Sequence, residues 1–139
     1  MDHPDPIPFP PFFEFNNEDE SDLLVFDIPS HINQEPPEFE EFGPDRVFDS
    51  TGRLADLGVH DYMVVVKGWS EPKIDEFDHH LRRAARHHLA DEVVNGLGTF
   101  ELRDRLEEVI RRWQREHSLS GRLAMLGERI RRLVSRRPN

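Results

Sequence analysis

The sequence predicts an α+β fold that is mostly α-helical, with an extended N-terminal arm, a short β-hairpin or small sheet and three amphipathic helices. Three observations support this prediction. The first 45 residues hold thirteen acidic side chains, nine of the eleven prolines and no Lys or Arg. A short apolar run of strand length follows, at residues 62–66. The rest of the chain shows apolar residues at helical spacing.

The N-terminal arm, residues 1–45, is predicted to be extended because its acids repel one another and its prolines fix φ and remove backbone donors. It also holds seven of the ten phenylalanines, whereas disordered tails are normally poor in aromatic residues. Such rings need a surface that buries them. We therefore expect the arm to wrap a partner, with one short strand at 22–28; an acidic tail with no role is the alternative.

Partner binding is assigned to the phenylalanines of the arm and to a group of its glutamates. The rings would enter apolar pockets, and the carboxylates would face basic groups. The expected partner is therefore a protein with a basic and apolar surface, or a neighbouring subunit. The predicted binding residues are Phe9, Phe12, Phe13, Phe15, Phe26, Glu38, Phe39, Glu40, Glu41 and Phe42.

The arm could instead fold back on its own chain. Residues 101–139 carry eleven Arg against six acids, so the two ends of the chain have opposite charge. This interpretation requires no partner, and the sequence leaves it open.

Residues 46–139 are predicted to form one small helical domain with a short β element. Strands are expected at 46–49, leading into a turn at Gly52, and at 62–67. Helices are expected at about 71–95, 100–117 and 121–136, and Ser70 is the predicted N-cap of the first.

Several classes of protein are excluded or disfavoured by composition. Cysteine is absent, which excludes disulfides, thiolate metal sites and cysteine nucleophiles. The longest apolar run is far shorter than the roughly twenty residues that a membrane span needs. The first residues show neither the basic nor the apolar segment of a secretory signal, so the cytoplasm is the expected location.

A metal site is the one cofactor hypothesis that the sequence raises. Glu76 and His79 have the Glu-x-x-His spacing by which di-iron helical bundles present two ligands one turn apart. Such a site needs a second motif of this kind, and the sequence contains none. We therefore expect no cofactor, with a His-rich metal-binding helical protein as an alternative.

Catalysis and nucleic-acid binding receive little support. The serines and threonines lie at predicted turns or caps, and no glycine-rich phosphate loop or nucleophile elbow surrounds them. An acidic chain also repels phosphate, although the last two predicted helices could form a helix-turn-helix. Neither a small-molecule substrate nor a nucleic acid is expected.

These observations together predict a non-enzymatic interaction protein. It would be a subunit or adaptor of a larger assembly that binds its neighbour through the acidic Pro/Phe-rich arm. The alternative from another class is an acidic inhibitor or antitoxin-like regulator that occupies a basic groove of a target enzyme.

Overall fold

The structure, a computed structural model, describes residues 7–19 and 21–135, with side chains as far as residue 117. Within these ranges the chain forms five strands and four helices. In chain order these are β1 (Phe12–Phe15), β2 (Leu23–Phe26), α1 (Pro36–Phe42), β3 (Arg46–Phe48), β4 (Arg53–His60), β5 (Met63–Pro72), α2 (Ile74–Ala85), α3 (Asp91–Gly96) and α4 (Thr99–Ser135).

The five strands form one antiparallel sheet in the order β2-β1-β3-β4-β5. The chain is 40% helical and 26% strand, so the expectation of a mostly helical fold with a small hairpin was wrong. The described part of residues 1–45 is not an extended arm either, because it supplies β1, β2 and α1. Phe13 of β1 lies opposite Val25 of β2 on one side and Phe48 of β3 on the other.

The position of β1 inside the sheet follows from alternating side chains. Successive residues of a strand point to opposite faces, so Phe12 and Phe13 can each be buried against a different layer. The sheet also pairs the backbone groups that an extended chain would leave to water. Burial of these rings on both faces outweighs the charge repulsion, because most of the acids that the structure describes in this segment lie in loops and in α1, exposed to water.

One face of the sheet is covered by α2 and α4. The apolar face of these helices packs on the rings of β1 and β3, and Phe77 of α2 contacts both Phe13 and Phe48. This first core cluster consists of Phe13, Phe15, Leu23, Val25, Phe48, Phe77, Leu81, Ala84, Ala85, Val94, Leu102, Leu106 and Ile110.

The opposite face is covered by α1 and the loop that precedes it. Its buried residues are fewer, and half-buried side chains from the loop and from α1 complete the layer. This second core cluster consists of Val47, Ala55, Leu57 and Val64, packed with Phe26, Ile32, Phe39, Val66 and Trp69. The ring of Phe12 lies against Phe26 and Trp69 on this face.

The predicted strands at 22–28, 46–49 and 62–67 are present as β2, β3 and β5, whereas β4 was missed. Gly52 has a φ of 90°, as the predicted turn before β4 requires. β4 contains Ala, Asp and Gly, which have low strand propensity. Pairing with β5 along almost its whole length stabilises β4 despite this composition.

The helix predicted at 71–95 is replaced by α2 and α3 with a turn between them. Ser70 is not a helix cap, because its hydroxyl lies in β5 and accepts a hydrogen bond from the Leu54 N–H. Arg82 fixes the turn by donating to the carboxylate of Asp78 and to the carbonyls of Val94 and Leu97.

The helices predicted at 100–117 and 121–136 form a single helix, α4, although position 136 lies outside the described residues. The interruption predicted between them, around residues 118–121, was wrong, because a glycine costs a helix only about 1 kcal/mol and a serine less, which neighbouring turns offset. No helix in the described ranges has the length and apolar character needed to cross a membrane.

Candidate interaction surface

The ten predicted binding residues fall into two groups in the structure. Phe12, Phe13 and Phe15 are buried in the sheet, and Phe26 and Phe39 pack against the second core cluster. Burial of these five rings, complete for the three in β1 and partial for Phe26 and Phe39, stabilises the fold. The remaining two rings are exposed: Phe9 is 55% and Phe42 45% accessible.

The other predicted residues lie together on α1. Glu38, Glu40 and Glu41 are exposed and form an acidic ridge, and none of them forms an ion pair with a described residue. Phe39 anchors the opposite side of the helix to the second core cluster, and α1 packs against β5. The structure therefore brings the predicted glutamates together beside β5.

A second surface feature, which was not predicted from the sequence, is an apolar patch at the end of the β4–β5 hairpin. Tyr62 is 94% exposed and Met63 61%, and Val59 of the same hairpin is 43% exposed. We call these three residues the tip patch. Single exposed apolar residues are normal on protein surfaces, but a group that includes Tyr and Met has the composition of an interface core.

The backbone at the tip patch is unusual as well. Asp61 and Tyr62 have φ values of 49° and 63°, the left-handed conformation that both central residues of a type I′ hairpin turn require. Gly and Asn favour this conformation, whereas a bulky residue pays about 1–2 kcal/mol for it. A fully exposed Tyr thus occupies a position where Gly would give a more stable fold.

An apolar groove runs beside the tip patch. It has a volume of about 250 Å³ and is lined by Pro29, Ser30, Met63, Val64, Val65 and Val66. One wall is therefore the outer edge of β5, and the other is the loop that follows β2. We call it the edge groove.

The two edges of the sheet differ. At the β2 edge, the side chain of Gln114 on α4 accepts a hydrogen bond from the Val25 N–H at 2.7 Å and donates one to the Val25 carbonyl at 3.0 Å. The side-chain amide of Gln114 thus makes the two hydrogen bonds with Val25 that the backbone of a neighbouring strand would make. At the β5 edge no strand or side chain from the described residues plays this part.

A buried polar network fixes α1 beside β5. Glu14 of β1 accepts hydrogen bonds from the backbone N–H groups of Asn33 and Gln34, at 2.7 and 3.1 Å. The Gln34 side chain accepts from the Asp45 N–H and donates to the Gly43 carbonyl. Burial, and then the hydrogen bond with Asp45, raises the pKa of Glu14 to about 8, so Glu14 is protonated at neutral pH.

A polar cleft of about 440 Å³ lies on the other side of the molecule, between the β1–β2 loop and α2. His80 is half-buried there; burial, and then the nearby charges of His79, Arg46 and Arg83, lower its pKa despite the opposing effect of Glu76. These effects favour the neutral form of the His80 imidazole. The cleft is lined by Phe15, Asn16, Asn17, Glu18, Asp19, Arg46, His80, Arg83 and His87.

The candidate metal ligands Glu76 and His79 lie one turn apart on α2 and contact other side chains. The Glu76 Oε1 atom lies 3.9 Å from Arg46 Nε, and the ring of His79 packs against that of His80. In the described ranges, no three His, Cys, Asp or Glu side chains are grouped so that they could hold an ion. A site built on Glu76 and His79 therefore lacks its further ligands among these residues.

Comparison with known proteins gives no assignment: no family model, no curated protein and no solved structure matches this chain. The signal for the tip patch was present in the sequence, since a Tyr follows Asp at the point where two strands must reverse direction. The edge groove, in contrast, joins residues some 35 positions apart and leaves no local pattern.

Proposed function

We propose that this chain is a non-enzymatic interaction protein that binds another protein through the tip patch and the edge groove. The observation that carries the proposal is Tyr62, an aromatic residue that is 94% exposed in a left-handed turn position. Its conformation is unfavourable and its ring is unburied, so the fold gains nothing from it. A binding role gives a physical reason for Tyr at this position.

The residues of the patch suit such a role. Tyr and other aromatic residues carry much of the binding energy in protein interfaces, and Met adapts its shape to different partners. Burying a side chain of this size contributes on the order of 1.5–3 kcal/mol. Tyr62 and Met63 together would therefore provide a central anchor for a partner.

The acidic ridge indicates the charge of that partner. Glu38, Glu40 and Glu41 are exposed on α1, which contacts β5, and they form no ion pair with a described residue. Their field would speed the approach of a basic surface and slow that of an acidic one. The proposed partner is therefore a protein with basic and apolar residues next to each other.

A second candidate function is the acidic inhibitor, which the same ridge favours. Its three glutamates could enter a basic groove of an enzyme while the tip patch holds the rim. The distinction between the two functions lies in the partner: an inhibitor abolishes the activity of the enzyme that it binds, whereas an adaptor does not.

The proposal is tested by affinity capture with the full chain. Wild type, the double variant Tyr62→Asn with Met63→Thr, and the control Phe100→Thr are immobilised, and the captured proteins are identified by mass spectrometry. Phe100 is also an exposed aromatic residue but lies on α4. We expect at least one protein to be captured by wild type and by the control but not by the double variant. Identical sets for all three would contradict the proposal.

If a partner is captured in this way, its activity decides between adaptor and inhibitor. Titration of a captured enzyme with the full chain should leave turnover unchanged for an adaptor and reduce it stoichiometrically for an inhibitor.

A further inference from the structure

Resting on the proposed function, we propose that the edge groove binds an extended segment of the partner as a sixth strand, paired to the outer edge of β5. The segment would carry apolar side chains at alternate positions and Lys or Arg between them. Strand addition of this kind uses main-chain hydrogen bonds for affinity and side-chain pockets for specificity.

The register of the hairpin shows which backbone groups are available. His60 lies opposite Met63 and closes the two-residue turn, so this pair exchanges both of its hydrogen bonds. Bonded and non-bonded pairs alternate along an antiparallel ladder. The N–H and C=O groups of Val64 and Val66 therefore point away from β4, into the edge groove.

The groove itself has the form that such a strand requires. The side chains of Val64 and Val66 pack into the second core cluster, which fixes β5 as a rigid template. The opposite wall is Pro29 and Ser30, and Pro29 has no N–H group with which it could pair to β5. At the other edge of the sheet, Gln114 shows how a peptide-like group fills the corresponding position.

Charge distinguishes between the two possible sources of the sixth strand, a second copy of this chain and a segment of another protein. A second copy of this chain would pair β5 with β5 and bring another acidic ridge to the same face, on a molecule whose net charge is already −10. A segment with Lys or Arg would instead be attracted, because the exposed glutamates of α1, which contacts β5, carry the opposite charge. We therefore commit to a basic, apolar-alternating segment of a different protein.

The probe is the capped heptapeptide Lys-Val-Lys-Val-Lys-Val-Lys, whose binding to the full chain is measured by calorimetry. Its composition control is the block peptide Val-Val-Val-Lys-Lys-Lys-Lys, which has the same charge without the alternation. We expect saturable binding of the first peptide and at least about tenfold weaker binding of the second, since losing the alternation removes apolar burial and register.

N-methylation of the peptide distinguishes strand pairing from charge attraction. In an extended strand, the N–H groups of alternate residues point to opposite edges. Methylating the nitrogens of the valines blocks one edge, and methylating those of the lysines blocks the other. Strand addition predicts that one methylated peptide loses binding while the other retains it; equal binding by both would contradict it.

A matched pair of variants tests the main-chain hydrogen bond that the Val66 N–H would donate to the peptide. Val66→Pro removes the outward N–H, and an edge strand tolerates Pro where its N–H faces solvent. Val66→Ala truncates the side chain but keeps the N–H. Both must first show the thermal unfolding transition of a folded chain. We expect Val66→Pro to bind the heptapeptide about tenfold more weakly than Val66→Ala, as the loss of a main-chain hydrogen bond predicts.

The remaining outcomes are also decisive. No binding of the heptapeptide, or equal binding by the two Val66 variants, overturns strand addition. A dimer in sedimentation that Val66→Pro dissociates would show that the occupant is a second copy and overturn our choice. A partner that is lost with the Tyr62 and Met63 variant but retained by Val66→Pro would leave the proposed function intact and remove the sixth strand.

Discussion

Tyr62 shows how one side chain can act against the stability of its own fold. A type I′ turn needs positive φ at both central residues, and Asp61 and Tyr62 both have it. Asp tolerates this conformation better than Tyr, because its short side chain can hydrogen-bond locally. The strain is therefore concentrated at Tyr62.

We predict that Tyr62→Gly stabilises the protein by about 1 kcal/mol, because glycine removes the left-handed strain but adds some freedom to the unfolded chain. Chemical denaturation of wild type and variant measures this difference. The same substitution should weaken binding of any partner that uses the tip patch.

Tyr62→Ala is the matched control. Alanine keeps the Cβ atom and hence most of the strain, but it lacks the ring. It should bind as weakly as the glycine variant without the gain in stability. A glycine variant no more stable than the alanine variant would show that the turn is unstrained.

At the scale of elements, the network around Glu14 decides where α1 lies. Glu14, Gln34 and Asp45 connect β1, the loop before α1 and the residue before β3. Asn17, after β1, adds a bond from its backbone N–H to Asp45 and another from its side chain to the Phe42 carbonyl. Both ends of α1 are thus tied to the sheet, which holds the acidic ridge beside β5.

This network makes stability depend on pH. Because burial raises the pKa of Glu14 from an ordinary value of 4.5 to about 8, the folded state holds a proton that the unfolded state has released between these two values. The contribution of Glu14 to stability is therefore complete below pH 4.5, declines as the pH rises, and is lost above pH 8.

We predict that Glu14→Gln flattens this decline, because a glutamine has no proton to lose. The free energy of unfolding, measured by urea denaturation at intervals from pH 5 to 8.5, should fall with pH in wild type and fall less in the variant. Glu18→Gln, at an exposed position of the β1–β2 loop, is the control and should follow wild type. Parallel curves for all three proteins would show that Glu14 is ionised in the folded state.

At the scale of the whole molecule, the sheet decides which part of the chain can fold. The composition of residues 1–45 suggested a boundary at residue 45, with residues 46–139 as an independent unit. However, β1 lies between β2 and β3, and its rings fill both core clusters. Removing β1 would expose Phe48 and Phe77. It would also leave β3 at an edge of the sheet, paired only with β4.

We therefore predict that a fragment of residues 46–139 lacks a cooperative unfolding transition. Far-UV circular dichroism with thermal melting, on the fragment and on the full chain, tests this. The full chain should unfold in one sharp step, whereas the fragment should lose its signal gradually. A sharp transition in the fragment would support the boundary at residue 45.

The individual elements were accessible from sequence to different degrees. β2 and β5 were predicted because their apolar and β-branched residues are continuous, and the faces of α2 and α4 were visible as a 3.6-residue period. β1 was missed as a strand, because a run of prolines precedes Phe12 and acids follow Phe15 at a short distance. β4 was missed because its strand character comes from pairing and not from its own residues.

The sequence by itself determined the charge of this protein, the absence of thiol chemistry and the need to bury many phenylalanines. The tertiary structure alone decided where those rings go, because two faces of one sheet can absorb them when β1 lies in its interior. It also decided which edge of the sheet stays open. Edge exposure depends on long-range neighbours such as Gln114 with Val25, and no local pattern of residues encodes it.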